Sequence, residues 1–403
     1  MTRQPPTQTS SKPWVEWYAN RITDPVARLK FLQSVTPLTS SARRAGGKAF
    51  WKFALASTVL LAILGSFLIA RAATRVRTVA AASRPKQVRI TPSSATAVWL
   101  VDKSVDSESY SNGLRIDTRF ESPNRARGYL AFPADRPDGA GVRRTDPAGI
   151  VFHTTESRQL PFEAGTNSAL KQVGESLVDF VRRRHCYHFL IDRFGRVYRI
   201  VPEGDSAEHA GYSVWSDDSW IYLNLNQSFL AISFEARTEP GQEDPTVSPA
   251  QIHSAAMLTE MLRTRYGIAA GNCVTHAQVS VNPENMRVGF HTDWASSFPF
   301  EKLGLPDNYA RALPSITEFG FVSDETFVQS AGTRLYAGVE LAEAELVRSA
   351  AASGASVAEL RKTLRQRYRT RLAQALGGGG EADARSVIGG DRGSEIVFSP
   401  PLP

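Results

Sequence analysis

Gly149-Ile150-Val151-Phe152-His153-Thr154-Thr155 is the stretch whose reading decides the fold. A continuous apolar run of this kind reads as a strand buried on both faces, here delivering an imidazole to its tip. Two further segments carry residues of matching chemistry: His276 in Cys273-Val274-Thr275-His276-Ala277-Gln278, and Asp293 in His291-Thr292-Asp293-Trp294. Two neutral imidazoles and one carboxylate, with a fourth position left for water, are what a hydrolytic Zn²⁺ site needs. Such an ion lowers the pKa of its water to about 7 and polarises a carbonyl, which brings amide hydrolysis within reach near neutrality. Taken singly, each of the three residues has a structural or solvated reading, and their separation along the chain is silent on whether they meet.

Outward from this strand, Asn167 to Arg184 has helical spacing of Leu170, Val173, Leu177, Phe180 and Val181. Cys186–Ile191 and Arg196–Val201 flank a turn at Asp192-Arg193-Phe194-Gly195 and read as a β-hairpin. Leu230–Glu235 is another strand. Ser248 followed by Pro249 starts a helix that runs to about Tyr266, before Gly267. Strands alternating with helices predict an α/β domain over 147–310, with a central mixed sheet flanked by helices. Before it, 72–146 reads as a linker (72–95) and an N-terminal extension with strand-like pieces at Ala97–Val101 and Gly128–Phe132. After it, 311–376 reads as a helical extension with helices at Glu340–Ala352 and Ser356–Leu376, and 377–403 as a disordered tail.

The 403-residue chain is 42% apolar and carries a net charge of +7, with pI near 9.5. That balance favours anionic surroundings such as acidic lipid or cell-wall polymer. No nucleic-acid-binding motif is present, and no nucleic-acid partner is expected. The sequence carries no signal of oligomeric state. Cys186 and Cys273, the only two cysteines, are too few for a disulfide scaffold and lack zinc-site spacing; they are one disulfide or two buried thiols.

Phe53 to Ala70 is an uncharged run of 18 residues between Lys52 and Arg71. This is close to the roughly 20 needed to cross a bilayer, and flanking Lys and Arg can snorkel. A single transmembrane anchor over 53–71 follows, making lipid a partner. The run begins too far from the N-terminus for a cleaved signal peptide. Its flanks are almost evenly basic, so size decides orientation: long domains translocate, short basic tails resist. The tail 1–52, with nine Lys or Arg against Glu16 and Asp24, is expected in the cytoplasm, and the remainder outside a bacterial cytoplasmic membrane.

Six pieces in order resemble the type-2 N-acetylmuramoyl-L-alanine amidases, the superfamily of phage amidase lysozymes and peptidoglycan-recognition proteins. They are Ile150–Thr155, Tyr187–Asp192 with Gly195, Glu208-His209-Ala210-Gly211, Asn226-Gln227-Ser228 leading into Ile232–Glu235, Thr275-His276, and His291-Thr292-Asp293 with Phe298-Pro299-Phe300. The resemblance covers about 147–305. It implies Zn²⁺ held by His153, His276 and Asp293, and the muramoyl–L-alanine amide of peptidoglycan as substrate. It further implies Glu235 as general base, Tyr187 as a hydroxyl donor near the metal, and His291 as a protonated imidazole stabilising the transition state. His209 and Asn226 fall where the cleft meets substrate. Two departures stand out. The connection from His276 to Asp293 is long, with Asn282-Pro283-Glu284-Asn285 inserted, which leaves Asp293 and His291 as alternatives for the third ligand. Trp294-Ala295 replaces the family's Pro-Gly. Two alternatives to a muramoyl amidase are a non-catalytic peptidoglycan-binding module of the same fold and a zinc hydrolase acting on another amide.

Overall fold

The computed structural model describes residues 97–136, 139–238, 247–323 and 332–377. The tail 1–52, the expected anchor 53–71, the linker 72–95 and nearly all of 377–403 lie outside the described residues. Among the described residues, no helix is long and apolar enough to cross a membrane.

In chain order the strands are β1 (Leu100–Lys103), β2 (Ser107–Tyr110), β3 (Arg115–Asp117), β4 (Tyr129–Pro133), β5 (Val142–Arg144) and β6 (Gly149–Thr154). Then come β7 (Phe189–Ile191), β8 (Val197–Arg199), β9 (Val214–Ser216), β10 (Trp220–Leu223), β11 (Phe229–Phe234), β12 (Cys273–Thr275), β13 (Val281–Asn282) and β14 (Arg287–Val288). The α-helices are α1 (Asn167–Arg184), α2 (Leu225–Ser228), α3 (Pro249–Tyr266), α4 (His276–Val279), α5 (Pro314–Phe319), α6 (Thr333–Ser353) and α7 (Val357–Ala375).

The main sheet is eight-stranded and mixed, in the order β1-β2-β3-β8-β7-β11-β6-β12. β11, β6 and β12 run parallel, and β7 and β8 form the expected antiparallel hairpin, turned at Gly195 with φ of 80°. All six residues of β6 are buried, as a strand with parallel neighbours on both sides requires. Its side chains alternate: Ile150 and Phe152 enter the core under α3, while Val151 faces the opposite layer. At the start of β6 the backbones crowd. A Cβ on Gly149 would lie 2.1 Å from Phe229 Cε1 and 2.5 Å from the carbonyl oxygen of Asn272, so only glycine fits.

The two long flanking helices match their expected spans. For α3 the reason is local: Ser248 and Gln251 form a reciprocal capping box, Pro249 occupies the first turn, and Gly267 closes the helix in a left-handed conformation. α1 packs Leu177, Val178 and Val181 on the other face, against Leu190 and Ala231.

The N-terminal extension continues both sheets. β1–β3 lengthen the main sheet through the parallel β3–β8 pair, and β5-β4-β10-β9 form a second, antiparallel sheet. Buried Arg199 on β8 ties the extension in, donating to Glu108 on β2 at 2.7 Å. At the C-terminal end, α6 begins at Thr333, seven residues before the expected Glu340. Its first turns are held by burial of Leu335 and Val339 beside Leu313 and Ile316. α7 buries Leu364, Tyr368 and Leu372 in the same core, which also takes Phe132, Ile221 and Leu223 from the second sheet. The basic face of α7 is partly built in: Arg371 lies over the ring of Phe132, 5.0 Å from its centre. Cys186 and Cys273 are free, buried thiols, which settles the alternative left open by the sequence; burial pushes both up to about 12.

Candidate metal centre

Parallel strands present their carboxyl ends on one side, and crevices there collect functional groups. His153 stands near the end of β6. His276 is the first residue of α4, directly after β12, where Thr275 and Gln278 cap the turn reciprocally. The pairing of β12 with β6 therefore sets the two histidines side by side, ring centres 4.4 Å apart.

Asp293 arrives from the long connection. The inserted segment folds into the hairpin β13–β14, with Met286 left-handed at φ of 56°. The hairpin base closes on itself: Gly289 N donates to Ser280 O at 2.9 Å, and His291 N to Ser280 Oγ at 2.9 Å. The two ends then meet where Ala277 N donates to Asp293 O at 3.2 Å. The insertion thus still brings Asp293 beside both histidines. Trp294 takes a left-handed φ of 59° in place of the family's Pro-Gly turn, and its buried indole packs edge-on to Phe234 and Phe298.

The result is a buried trio. His153 Nδ1 lies 3.2 Å from Asp293 Oδ2, and His276 Nδ1 lies 2.8 Å from Asp293 Oδ1. The three ligand atoms fall within 4.8 Å of one another, and among the described residues they form the one group of this kind. Burial, then the neighbouring His276, pushes His153 down to about 4, so its imidazole is neutral at pH 7. Burial opposes the charge of Asp293, but His276 and hydrogen bonds from both imidazoles hold its carboxyl well below the usual carboxylate range. Neutral Nδ1 and ionised carboxylate are the donor forms a divalent zinc ion takes, and the set fits it.

His291 does not join the trio. Its ring lies flat against the ring of His276, and burial, then His276, pushes it down to about 3. That direction disfavours the protonated imidazole expected from the sequence. Tyr187 is close: its ring centre is 5.2 Å from that of His153, and its hydroxyl faces Thr154 O at 3.5 Å. Burial first, and the charge of Asp293 among others, raises its pKa well above the usual phenol value, keeping the O–H intact.

Glu235 is placed elsewhere. The residue of β11 paired with His153 is Ser233, and Glu235 lies two residues further on. Its Oε2 accepts from Arg193 N at 3.2 Å and faces α1 at Gly174. Burial pushes it up to about 7, opposed by Arg193; the other charges that set its acidity are Asp192 and Arg196. A second, half-buried carboxylate, Glu156, was missed by sequence reasoning. Just beyond β6, in a left-handed conformation with φ of 48°, it accepts from the Thr154 hydroxyl and from Thr238 N and Oγ1 at 3.2 and 2.9 Å. All three bonds fall on Oε1. Burial, and then the nearby charge of Asp293, raises its pKa.

His209 and Asn226 meet each other. Asn226 Oδ1 accepts from three successive backbone donors, His209 N, Ala210 N and Gly211 N, at 2.8, 2.7 and 2.8 Å. Its Nδ2 donates to Glu208 Oε2 at 2.8 Å. Asn226 thus uses its side-chain amide within this loop. The imidazole of His209 turns inward, with Nδ1 3.1 Å from Nε2 of His153. His188, directly before β7, is held to β11, its Nδ1 accepting from Ala231 N at 3.0 Å.

Residues 143–293 match the N-acetylmuramoyl-L-alanine amidase family. No curated protein matches the chain. Among solved structures, the amidase LysC from Clostridium intestinale URNW is similar at 24% identity over 39% of this chain and 83% of that one, with a TM-score of 0.25. The amidase AmiD from E. coli, in complex with anhydro-N-acetylmuramic acid-L-Ala-D-gamma-Glu-L-Lys, is similar at 22% identity over 39% of this chain, with a TM-score of 0.30; the match spans 56% of AmiD. Drosophila peptidoglycan recognition protein SD is similar at 18% identity over 41% of this chain and 85% of that one, with a TM-score of 0.27.

Proposed function

We propose that this chain, whose residues 143–293 match the N-acetylmuramoyl-L-alanine amidase family, hydrolyses the amide between N-acetylmuramic acid and L-alanine in peptidoglycan. The observation that carries the reading is the buried trio, with Nδ1 of His153 and of His276 each facing one oxygen of Asp293. These three residues would hold Zn²⁺, which when bound lowers the pKa of water and polarises the scissile carbonyl.

The chain's own groups supply the proton traffic. Glu156 Oε1 is fixed by Thr154 and Thr238, which leaves Oε2 to take a proton from the attacking water. As the water oxygen bonds to the acyl carbon, the carbonyl electron pair moves onto its oxygen. The intact phenol of Tyr187 donates a hydrogen bond to that developing charge. Glu156 then returns the proton to the amide nitrogen as the C–N bond breaks. The products are the muramoyl carboxylate and the free amine of L-alanine.

The localisation belongs to the same proposal. A span at 53–71 would tether the domain, and the basic tail 1–52 would stay inside, so that the site faces the wall. The test is to incubate the full-length chain, in detergent and with zinc, with purified peptidoglycan and to identify products by mass spectrometry. Peptides newly beginning at L-alanine, absent with His276→Ala, are expected. Cleavage at another amide would move the substrate assignment. Tight muropeptide binding without hydrolysis would replace the enzyme by a binding module.

A further inference from the structure

His153 has two ring nitrogens, and the structure gives each a different partner. Nδ1 faces Asp293 at 3.2 Å and Nε2 faces His209 Nδ1 at 3.1 Å. When Nδ1 serves as a metal donor its lone pair is used there, and the ring proton of neutral His153 sits on Nε2. That N–H needs an acceptor, and the atom in place is Nδ1 of His209. A neutral His209 accepting at Nδ1 carries its own proton on Nε2. Nε2 of His209 is buried and has no hydrogen-bond partner among the described residues. With Nδ1 of His153 given to a metal, the contact therefore selects the tautomer of His209 whose buried Nε2 donor has no partner among the described residues.

The backbone behind His209 is built to hold that ring in place. Asn226 Oδ1 gathers the three N–H groups of residues 209–211, and Glu208 anchors the other end of the Asn226 amide. Glu208 itself is tied to the end of α1 through Glu208 N to His185 O at 3.0 Å. The chain of contacts runs from the loop through one imidazole to another, and ends at Asp293.

We propose that His209 is a positioning residue that fixes the tautomer and orientation of His153 for metal binding, and that Asn226 acts through it. The inference rests on the metal reading given above and deepens it. Outer partners of metal-binding histidines typically account for 10–100-fold in metal affinity. A substrate-contacting His209 would instead alter KM with metal affinity unchanged.

The experiment is a chelator competition for Zn²⁺ on the full-length chain, comparing wild type, His276→Ala, His209→Leu, His209→Asn and Asn226→Ala, each checked for folding by its metal-free melting temperature. Wild type is expected to bind one equivalent and His276→Ala to lose it. His209→Leu and Asn226→Ala are expected to weaken binding about 10–100-fold. In His209→Asn the amide oxygen takes the place of Nδ1, and affinity is expected within a few fold of wild type. Equal affinity of wild type and His209→Leu overturns this proposal alone, whereas absence of zinc from the wild type overturns the metal reading with it. Imidazole ¹⁵N spectra of the zinc-loaded wild type provide a check independent of any variant. Protons on Nε2 of both His153 and His209 are expected, and a proton on Nδ1 of His209 overturns the proposal.

Discussion

The imidazole of His291 lies flat on that of His276, ring centres 4.4 Å apart and planes inclined by 21°. Burial first, and then the neighbouring His276, disfavours a charge on His291. His291 thereby lines the site as a ring packed on one member of the trio.

Acid stability follows from this and from the burial of His153. Folded His153 and His291 take protons only near pH 4 and pH 3, at about 4 and about 3, whereas unfolded histidine does so near 6.5. In that window the unfolded chain holds more protons. The stability they contribute is complete above about pH 6.5 and falls with decreasing pH, by up to about 1.4 kcal/mol per pH unit for each group. Melting of the zinc-free chain should drop between pH 7 and pH 5, and His291→Gln should flatten the slope. A melting temperature independent of pH over that range would contradict it.

Glu156→Gln keeps the hydrogen-bonding shape but not the base. We expect kcat to fall about 10²–10⁴-fold with Zn²⁺ affinity unchanged. Glu235→Gln should leave kcat within a few fold, because its Oε2 is held by Arg193 N against α1 at Gly174. Steady-state kinetics on muropeptide compare the two, and the reverse order would restore Glu235.

Tyr187→Phe removes one hydroxyl from a buried site that otherwise keeps its ring contacts. A loss of about 10–100-fold in kcat with little change in KM is expected if the phenol meets the developing oxyanion.

Leu364→Ala empties part of the core that α7 shares with the second sheet, and should cost about 2–5 kcal/mol by denaturant melts. Ending the chain at residue 323 should expose Ile316, Phe319 and Phe321 and give aggregated protein.

A reporter enzyme fused after residue 90 should be active only outside the cytoplasm. Activity inside would reverse the proposed orientation.

Much of the site was legible because its signals are local. β6 is an unbroken apolar run, and α3 carries a cap at both ends, so its limits came out to the residue. What escaped depends on side-chain direction. Motif order put Glu235 at the end of a strand; β11 stops at Phe234, Ser233 pairs with His153, and Glu235 just beyond lies against α1 at Gly174. Glu156 gave no periodic signal, since it sits in a single left-handed turn beyond the strand. Asn226 and His209 lie in separate pieces of sequence, and only the folded loop reveals that one holds the other. The early start of α6 was readable after all: Leu335, Val339, Ala342 and Leu346 recur at helical spacing and are all buried.

Gly149 lies at the far end of β6 from His153, four residues and about 13 Å away at the rise of a strand. The backbone there is wedged between Phe229 and Asn272, so it serves as the datum from which the height of His153 is measured. An alanine at that position would lift the whole strand against its neighbours and carry Nδ1 of His153 out of line with Asp293, with no atom of the metal centre altered. On the proposed metal reading, the alignment of the donors thus depends partly on a residue that has no side chain.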